Sequence, residues 1–248
     1  TVEWIVVAPS HYQVVGTGRL MEQTSLSTGY QQTHWGSSIP IPPKVMVIGA
    51  ARFAVQHVGT VSSVPVQSWV YPQNRDEGFY DYAIAEKILR FFDGHIGPFP
   101  YEKLANVQSK TRYGGMENAS NIFYSERSVS GNRASEGLIA HEVAHQWFGN
   151  SVTEKDWHHI WLSEGFATYF TQLYNEFTQG HDAIENGMRG ARNTIIAFYA
   201  QNSELALIAE QLSDPNRMLN RNAYQKGAWV FHMLRRQIGD EAFWAGIR

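Results

Sequence analysis

The spacing of apolar positions changes along this chain. Residues 1–60 are rich in Val, Ile, Thr and aromatics and are broken by turn signals such as GTG and SSIPIPP, which predicts several short strands of an all-β unit. The run VMVIGAARFAV at 45–55 and the run VPVQSWVY at 64–71 also read as strand. Over 79–97, FYDYAIAEKILRFFDGHIG, the apolar positions take helical spacing and stop at glycine. KLANVQS and NIFYSE are further strands, with YGGMEN between them. From Ser135 onward the pattern is nearly continuous helix, interrupted at FGNSVTEKDW, TQGHD and SDPN. Strands and helices mixed first and helices alone afterwards indicate an α+β fold. The change of character places a boundary near residue 60, giving units 1–60 and 61–248. There is no internal repeat and no low-complexity tract.

Composition narrows the function classes. The 248 residues are 43% hydrophobic and 13% aromatic, enough for a packed core. The net charge is −3 with Lys and Arg scattered, which argues against a nucleic-acid footprint. No apolar run is long enough to span a membrane. The chain opens on Thr1 and goes straight into strand, as expected of a piece that begins inside a longer protein. The absence of cysteine excludes disulfides and thiol catalysis without identifying a compartment.

The chemistry concentrates at HEVAHQW, residues 141–147. Ser135 or Asn132 can cap a helix running through EGLIAHEVAHQWF to Gly149–Asn150. Side chains four apart lie on one helix face, so His141 and His145 can point two imidazoles at one ion, with Glu142 beside them. A catalytic zinc takes three protein ligands and keeps one place for water. Glu164 of WLSEGF, nineteen residues after His145, supplies the third ligand at the start of a second helical run. Phe166, Phe170, Leu173 and Phe177 form the expected buried stripe of that helix. His158 and His159 fall in the connection and are expected to pack or cap. One zinc ion per chain, in a thermolysin-like set, is the implied cofactor.

Zinc lowers the pKa of its water to about 7, and Glu142 is placed to act as general base toward it. The reaction class is hydrolysis of an amide or ester. These residues alone leave endopeptidase and exopeptidase open.

Three stretches resemble the gluzincin-type zinc aminopeptidase family that includes aminopeptidase N and the leukotriene-epoxide hydrolase. They are YGGMENAS at 113–120, HEVAHQWFGNSVTEKDWHHIWLSEGFATYF at 141–170 and NAYQKGA at 222–228. The resemblance implies the end of a β saddle domain followed by a thermolysin-like catalytic domain. It makes His141, His145 and Glu164 the zinc ligands, Glu142 the base and Tyr224 the donor to the oxyanion. Glu117 binds the free α-ammonium, Gly114, Gly115 and Met116 hold the peptide in strand fashion, and Tyr113 borders the first side-chain pocket. A carboxylate near the metal rewards a charged N-terminus and leaves a mid-chain amide unmatched.

The match also departs from the family. Thr171 stands seven residues after Glu164, where an acidic residue is usual. Asn216 and Leu219 replace the aspartate and second tyrosine of the epoxide-hydrolysing relative, which points to peptide hydrolysis. The NAS triplet at 118–120 fits a glycosylation acceptor but overlaps the substrate strand, and is discounted. The expected partners are peptides with a free N-terminus and the missing domains of the parent chain, without which weaker activity is expected. A thermolysin-like endopeptidase and a zinc-bound peptide-binding fragment without turnover are the alternative readings.

Overall fold

The computed structural model describes residues 1–27, 29–208, 210 and 212–248. Strands β1 (Val2–Pro9), β2 (Gln13–Gly16), β3 (Arg19–Ser25), β4 (Tyr30–Ser37) and β5 (Ile48–Ala51) form two small antiparallel sheets, β1-β4-β3 and β2-β5. Along β4 the inward positions Gln31, Thr33, Trp35 and Ser37 are buried and alternate with more exposed neighbours, as a strand with one covered face requires.

The second unit is built on a five-stranded sheet of order β6-β7-β8-β10-β9. Its strands are β6 (Ala54–Val61), β7 (Val64–Val70), β8 (Leu104–Ser109), β9 (Gly115–Met116) and β10 (Asn121–Ser125). β6 and β7 are a hairpin whose two turn residues, Ser62 and Ser63, both take positive φ, as a two-residue turn matched to strand twist demands. β7, β8 and β10 run parallel. The β7–β8 crossover carries α1 (Arg75–Tyr82) and α2 (Ile84–His95), since parallel neighbours cannot be joined by a tight turn. β9 pairs antiparallel with β10 and is the outer edge of the sheet.

The rest is helical: α3 (Glu136–Ala144), α4 (Ile160–Gln179), α5 (His181–Tyr199), α6 (Pro215–Met218), α7 (Gly227–Ile238) and α8 (Asp240–Ile247). α4 is the hub and packs against α3, α5 and α7. The core joins Val66, Leu104 and Ile122 of the sheet to Ile88, Leu89 and Phe92 of α2, Ile139 and Val143 of α3, and Phe170 of α4. Burying each large side chain contributes about 1.5–3 kcal/mol, so this core fixes α3 against α4 at the height of the site. Among the described residues no helix is long and apolar enough to cross a membrane.

The mixed α+β character agrees with the sequence pattern, and several details differ. β6 is hydrogen-bonded into the second sheet, so sheet membership changes between Ala51 and Ala54 rather than at residue 60. Phe53, stacked on Tyr71 and edge-on to Trp69, pins that switch. The helix expected over 79–97 is divided at Ala83 into α1 and α2. α3 ends at Ala144, because the bonds from Gln146 N to Val143 O and from Trp147 N to Ala144 O tighten the chain into turns. Ser135 occupies the N-cap position without a side-chain cap bond. Phe177 is 61% exposed, although its ring packs on Phe91. Asn118 of the NAS triplet is buried, consistent with discounting a glycan there.

Candidate metal centre and active-site cleft

α3 presents His141 and Glu142, the first turn after it presents His145, and the second turn of α4 presents Glu164. The Nε2 atoms of the two histidines are 3.1 Å apart, and Oε2 of Glu164 lies 3.2 Å from one and 3.3 Å from the other. Ligand atoms about 2.0–2.1 Å from a tetrahedral zinc must lie roughly 3.3 Å from one another. The three donors therefore already form the base of such a tetrahedron, and they are the metal-ligand cluster found among the described residues.

Orientation and charge support the same fit. Nδ1 of His145 lies 3.0 Å from the Phe148 carbonyl and 3.2 Å from Ser163 Oγ. A carbonyl can only accept, so Nδ1 carries a hydrogen and Nε2 is the nitrogen turned to the cluster, where a metal would take the place of a proton. Burial alone would lower the pKa of His145, but the adjacent Glu164 carboxylate outweighs it and raises the imidazole to about 10. Burial would likewise raise Glu164, and the two imidazoles outweigh it, holding the carboxylate ionised. The pocket demands positive charge, which a divalent ion satisfies directly. Thr171 turns its hydroxyl onto the Ala167 carbonyl of its own helix at 2.8 Å.

Glu142 is buried beside β9: a Cβ added to Gly115 would stand 2.4 Å from its Oε1. Any side chain here would force Glu142 to move. Burial pushes the Glu142 carboxyl well above its usual range; His145 opposes this, and Glu117 and Glu164 add to it.

Glu117 is fixed through its main chain. Its carbonyl accepts from Gln146 Nε2 at 3.0 Å and from Asn150 Nδ2 at 2.6 Å, so two residues following the histidine motif clamp the GGMEN loop. Both were missed in the sequence. Their only signal there was polarity within a segment whose neighbours are buried.

Tyr224 sits in a π-helical turn, Asn222–Lys226, an irregularity frequent at functional sites. Its ring stacks on His141 with centroids 5.9 Å apart. Burial first, and then the charge and hydrogen bond of Glu164, raise its phenol far above the ordinary tyrosine value. What lets the turn come so close is a contact between glycines. A Cβ on Gly165 would stand 2.8 Å from the Gly227 backbone, so α4 and the Tyr224 turn meet main chain to main chain. Lys226 is turned away from the centre and donates to the Tyr199 hydroxyl.

The cleft is a cavity of about 240 Å³ that gathers Tyr113, Gly115, Met116, Glu117, His141, Glu142, His145, Glu164 and Tyr224. Gly114 alone of the sequence-derived set lies outside it, in the wall of a neighbouring cavity. Lys44, Trp157 and Leu219 are among the other wall residues, contributed by segments whose approach no local pattern announces. His158 bonds to Asp156 and to the Leu212 carbonyl, and His159 is the N-cap residue of α4; neither belongs to the metal cluster.

Comparison with known proteins gives the same picture. Leukotriene A-4 hydrolase of Xenopus laevis is 25% identical over 238 residues, 93% of this chain and 38% of that protein. Human endoplasmic reticulum aminopeptidase 2 is 29% identical over 235 residues, 90% of this chain and 24% of that protein. The chain thus spans well under half the length of these relatives. The crystal structure of an M1 zinc metallopeptidase from Deinococcus radiodurans superimposes with a TM-score of 0.81 at 24% identity, covering 99% of this chain and 54% of that one. The family model described as the peptidase family M1 domain matches residues 80–248, which carry the metal cluster, the GGMEN edge and the tyrosine turn alike. With two thirds of its length under that match, the chain belongs to peptidase family M1.

Proposed function

We propose that the chain is the catalytic part of a zinc aminopeptidase that hydrolyses the first peptide bond of peptides bearing a free α-amine. In this reading the strands up to Ala51 are the end of a β saddle domain, and the sheet that begins at Ala54 opens a thermolysin-like catalytic domain. His141, His145 and Glu164 hold the zinc. When bound, the ion supplies a Lewis acid that polarises the scissile carbonyl and acidifies water.

The protein's own groups do the rest. Glu117 receives the substrate ammonium through a charge-assisted contact that an internal amide cannot make. Alternation along the edge strand β9 turns every second residue's N–H and C=O to the open side, where an extended peptide can add. Glu142 takes a proton from the attacking water and delivers it to the departing amine. Tyr224 donates its phenolic hydrogen to the carbonyl oxygen as negative charge develops there. Tyr113 borders the pocket for the first side chain.

The observation that carries this reading over an endopeptidase is the placement of Glu117. It directly follows the edge strand β9, lines the same cleft as the metal donors, and has its main-chain carbonyl clamped by Gln146 and Asn150. The test is mass spectrometry of a peptide pool, each peptide present free and N-acetylated, incubated with zinc-loaded chain and with its Glu142→Gln variant. Stepwise loss of single residues from the free peptides alone is the expected result. Cleavage within acetylated peptides would overturn it in favour of an endopeptidase.

A further inference from the structure

A second cavity, of about 540 Å³, lies beside the cleft, shares Tyr113 with it and continues past Gly114. Leu138, one turn before His141 on α3, lines it. Its polar rim carries three cations, Lys110, Arg112 and Arg127, against one carboxylate, Glu126. Among the described residues none of these cations forms an ion pair, whereas Lys44, Arg90 and Arg235 elsewhere do. Arg112 lies over the Tyr113 ring at 4.9 Å and donates to its hydroxyl at 2.7 Å, which holds its guanidinium at the junction of the two cavities.

The direction of the bound peptide links this cavity to the reaction, and the link rests on the proposed reading of Glu117 as the anchor of the amine. The bond to be cut must lie beside Glu142, which abuts Gly115. A peptide that starts at Glu117 and passes Gly115 runs antiparallel to β9, toward lower residue numbers. A strand advances about 3.3 Å per residue, so the residues after the cleaved bond pass Gly114, Tyr113 and Arg112 in turn. That path leads out of the metal cleft and into the basic cavity.

We propose that the cavity bounded by Lys110, Arg112 and Arg127 is a binding site for a carboxylate carried at the third or fourth residue of the peptide. Two sources share this chemistry: the C-terminal carboxylate of a tri- or tetrapeptide, and an Asp or Glu side chain at that position. The guanidinium groups offer forked donors suited to a carboxylate, and Lys110 adds a point charge. The rim is exposed, so the preference is modest and weakens with salt. Glu126 opposes part of it by repelling an incoming carboxylate. Where the chain end supplies the carboxylate, the site favours short peptides, because only in them does the chain end fall at this distance from the amine.

The experiment measures binding of three tetrapeptides to the zinc-loaded Glu142→Gln chain by calorimetry. One ends in a free carboxylate, one is its amide, and one is an amide with Asp as fourth residue. The free acid is expected to bind roughly fivefold more tightly than its amide, the scale of an exposed ion pair. The gap closes in the Lys110→Ala, Arg127→Ala double variant and at high salt. Tight binding of the Asp-containing amide shows that a side chain also serves; its failure to bind tightly restricts the site to the chain end. Equal affinity of all three peptides overturns the proposal. Hydrolysis of an aminoacyl arylamide, which has no carboxylate, tests the aminopeptidase reading separately. If the arylamide is cut while the peptides bind equally, only the basic site is lost. If the acid–amide gap persists without arylamide hydrolysis, the site stands and the enzymatic reading falls.

Discussion

Gln146, the residue directly after the second metal-cluster histidine, holds the Glu117 loop from inside the protein. Its Nε2 donates to the Glu117 carbonyl at 3.0 Å, and its Oε1 accepts from the Ser120 N–H at 3.0 Å. One fully buried amide thus satisfies the main chain on both sides of Asn118 and Ala119. With Asn150, which donates to the same Glu117 carbonyl, it ties the metal centre to the proposed amine anchor.

Replacing Gln146 with Leu strands the buried Ser120 N–H, at a cost of about 1–3 kcal/mol, and leaves the Glu117 carbonyl with Asn150 as its remaining donor. Glu117 then loses its fixed distance from the metal centre, so KM for a free-amine substrate is expected to rise more than kcat falls. Steady-state kinetics on an aminoacyl arylamide separate the two. Gln146→Glu keeps the acceptor for Ser120 and loses only the donor, so an intermediate KM is expected. Unchanged KM in both variants, with folding intact by circular dichroism, would show that the clamp does not position Glu117.

Asp81 makes stability depend on acidity. It is wholly buried at the end of α1 and accepts from the N–H groups of Ser130 at 2.6 Å, Gly131 at 2.8 Å and Arg133 at 2.7 Å, in the loop that launches α3. Burial alone would raise its pKa, but these donors and the Ser130 hydroxyl outweigh it and lower the carboxyl from its ordinary value. A carboxylate depressed in the folded state contributes stability that is present above the unfolded pKa, about 3.9, and lost as pH falls through the folded value. The melting temperature should therefore drop between about pH 5 and the folded pKa, and less steeply in Asp81→Asn. The variant is expected to be less stable at pH 7 by about 1–3 kcal/mol. Parallel pH profiles would sink the assignment.

Local patterns were readable where short-range rules decide the outcome. His141 and His145 fall on one face, with Glu142 beside it, because helical spacing requires it, and the chain length between His145 and Glu164 is enough for a return helix. The end of α3 was not readable. The backbone bonds that tighten it, from Gln146 N and Trp147 N, and the side-chain bond from His145 Nδ1 to the Phe148 carbonyl leave no mark in the apolar pattern. The β6 assignment was likewise hidden, since a strand's sequence does not say which sheet it joins. Lys44 and Trp157 meet across 113 residues of sequence, by a cation–π contact at 5.1 Å that only the fold creates.

Metal should act as a structural ligand as well as a reagent. Glu164 and His145 are buried and His141 is half-buried, together with an unbalanced need for positive charge. At free zinc a thousand times its Kd, binding adds about 4 kcal/mol to the folded state. For a chain of this size that is a rise of about 8–16 °C in Tm. Scanning calorimetry of chelated and zinc-loaded protein measures it. Glu164→Ala and His145→Ala should abolish the shift, and a full shift in either variant would remove that residue from the ligand set.

The Gly165–Gly227 contact sets the position of Tyr224. Tyr224→Phe removes one donor and should lower kcat by about 10²–10³ while leaving stability nearly unchanged. Gly165→Ala leaves the phenol in place chemically but inserts a Cβ 2.8 Å from the Gly227 backbone, so α4 and the π-helical turn must separate. Overpacking of this kind typically costs about 1–3 kcal/mol, and here it should also lower kcat, because a donor moved by an ångström no longer meets the developing charge. The two effects can be told apart by combining the variants. If Gly165→Ala acts through Tyr224, it should reduce kcat far less in the Tyr224→Phe background than in the wild type. Full additivity would mean that the glycine contact supports the metal helix instead.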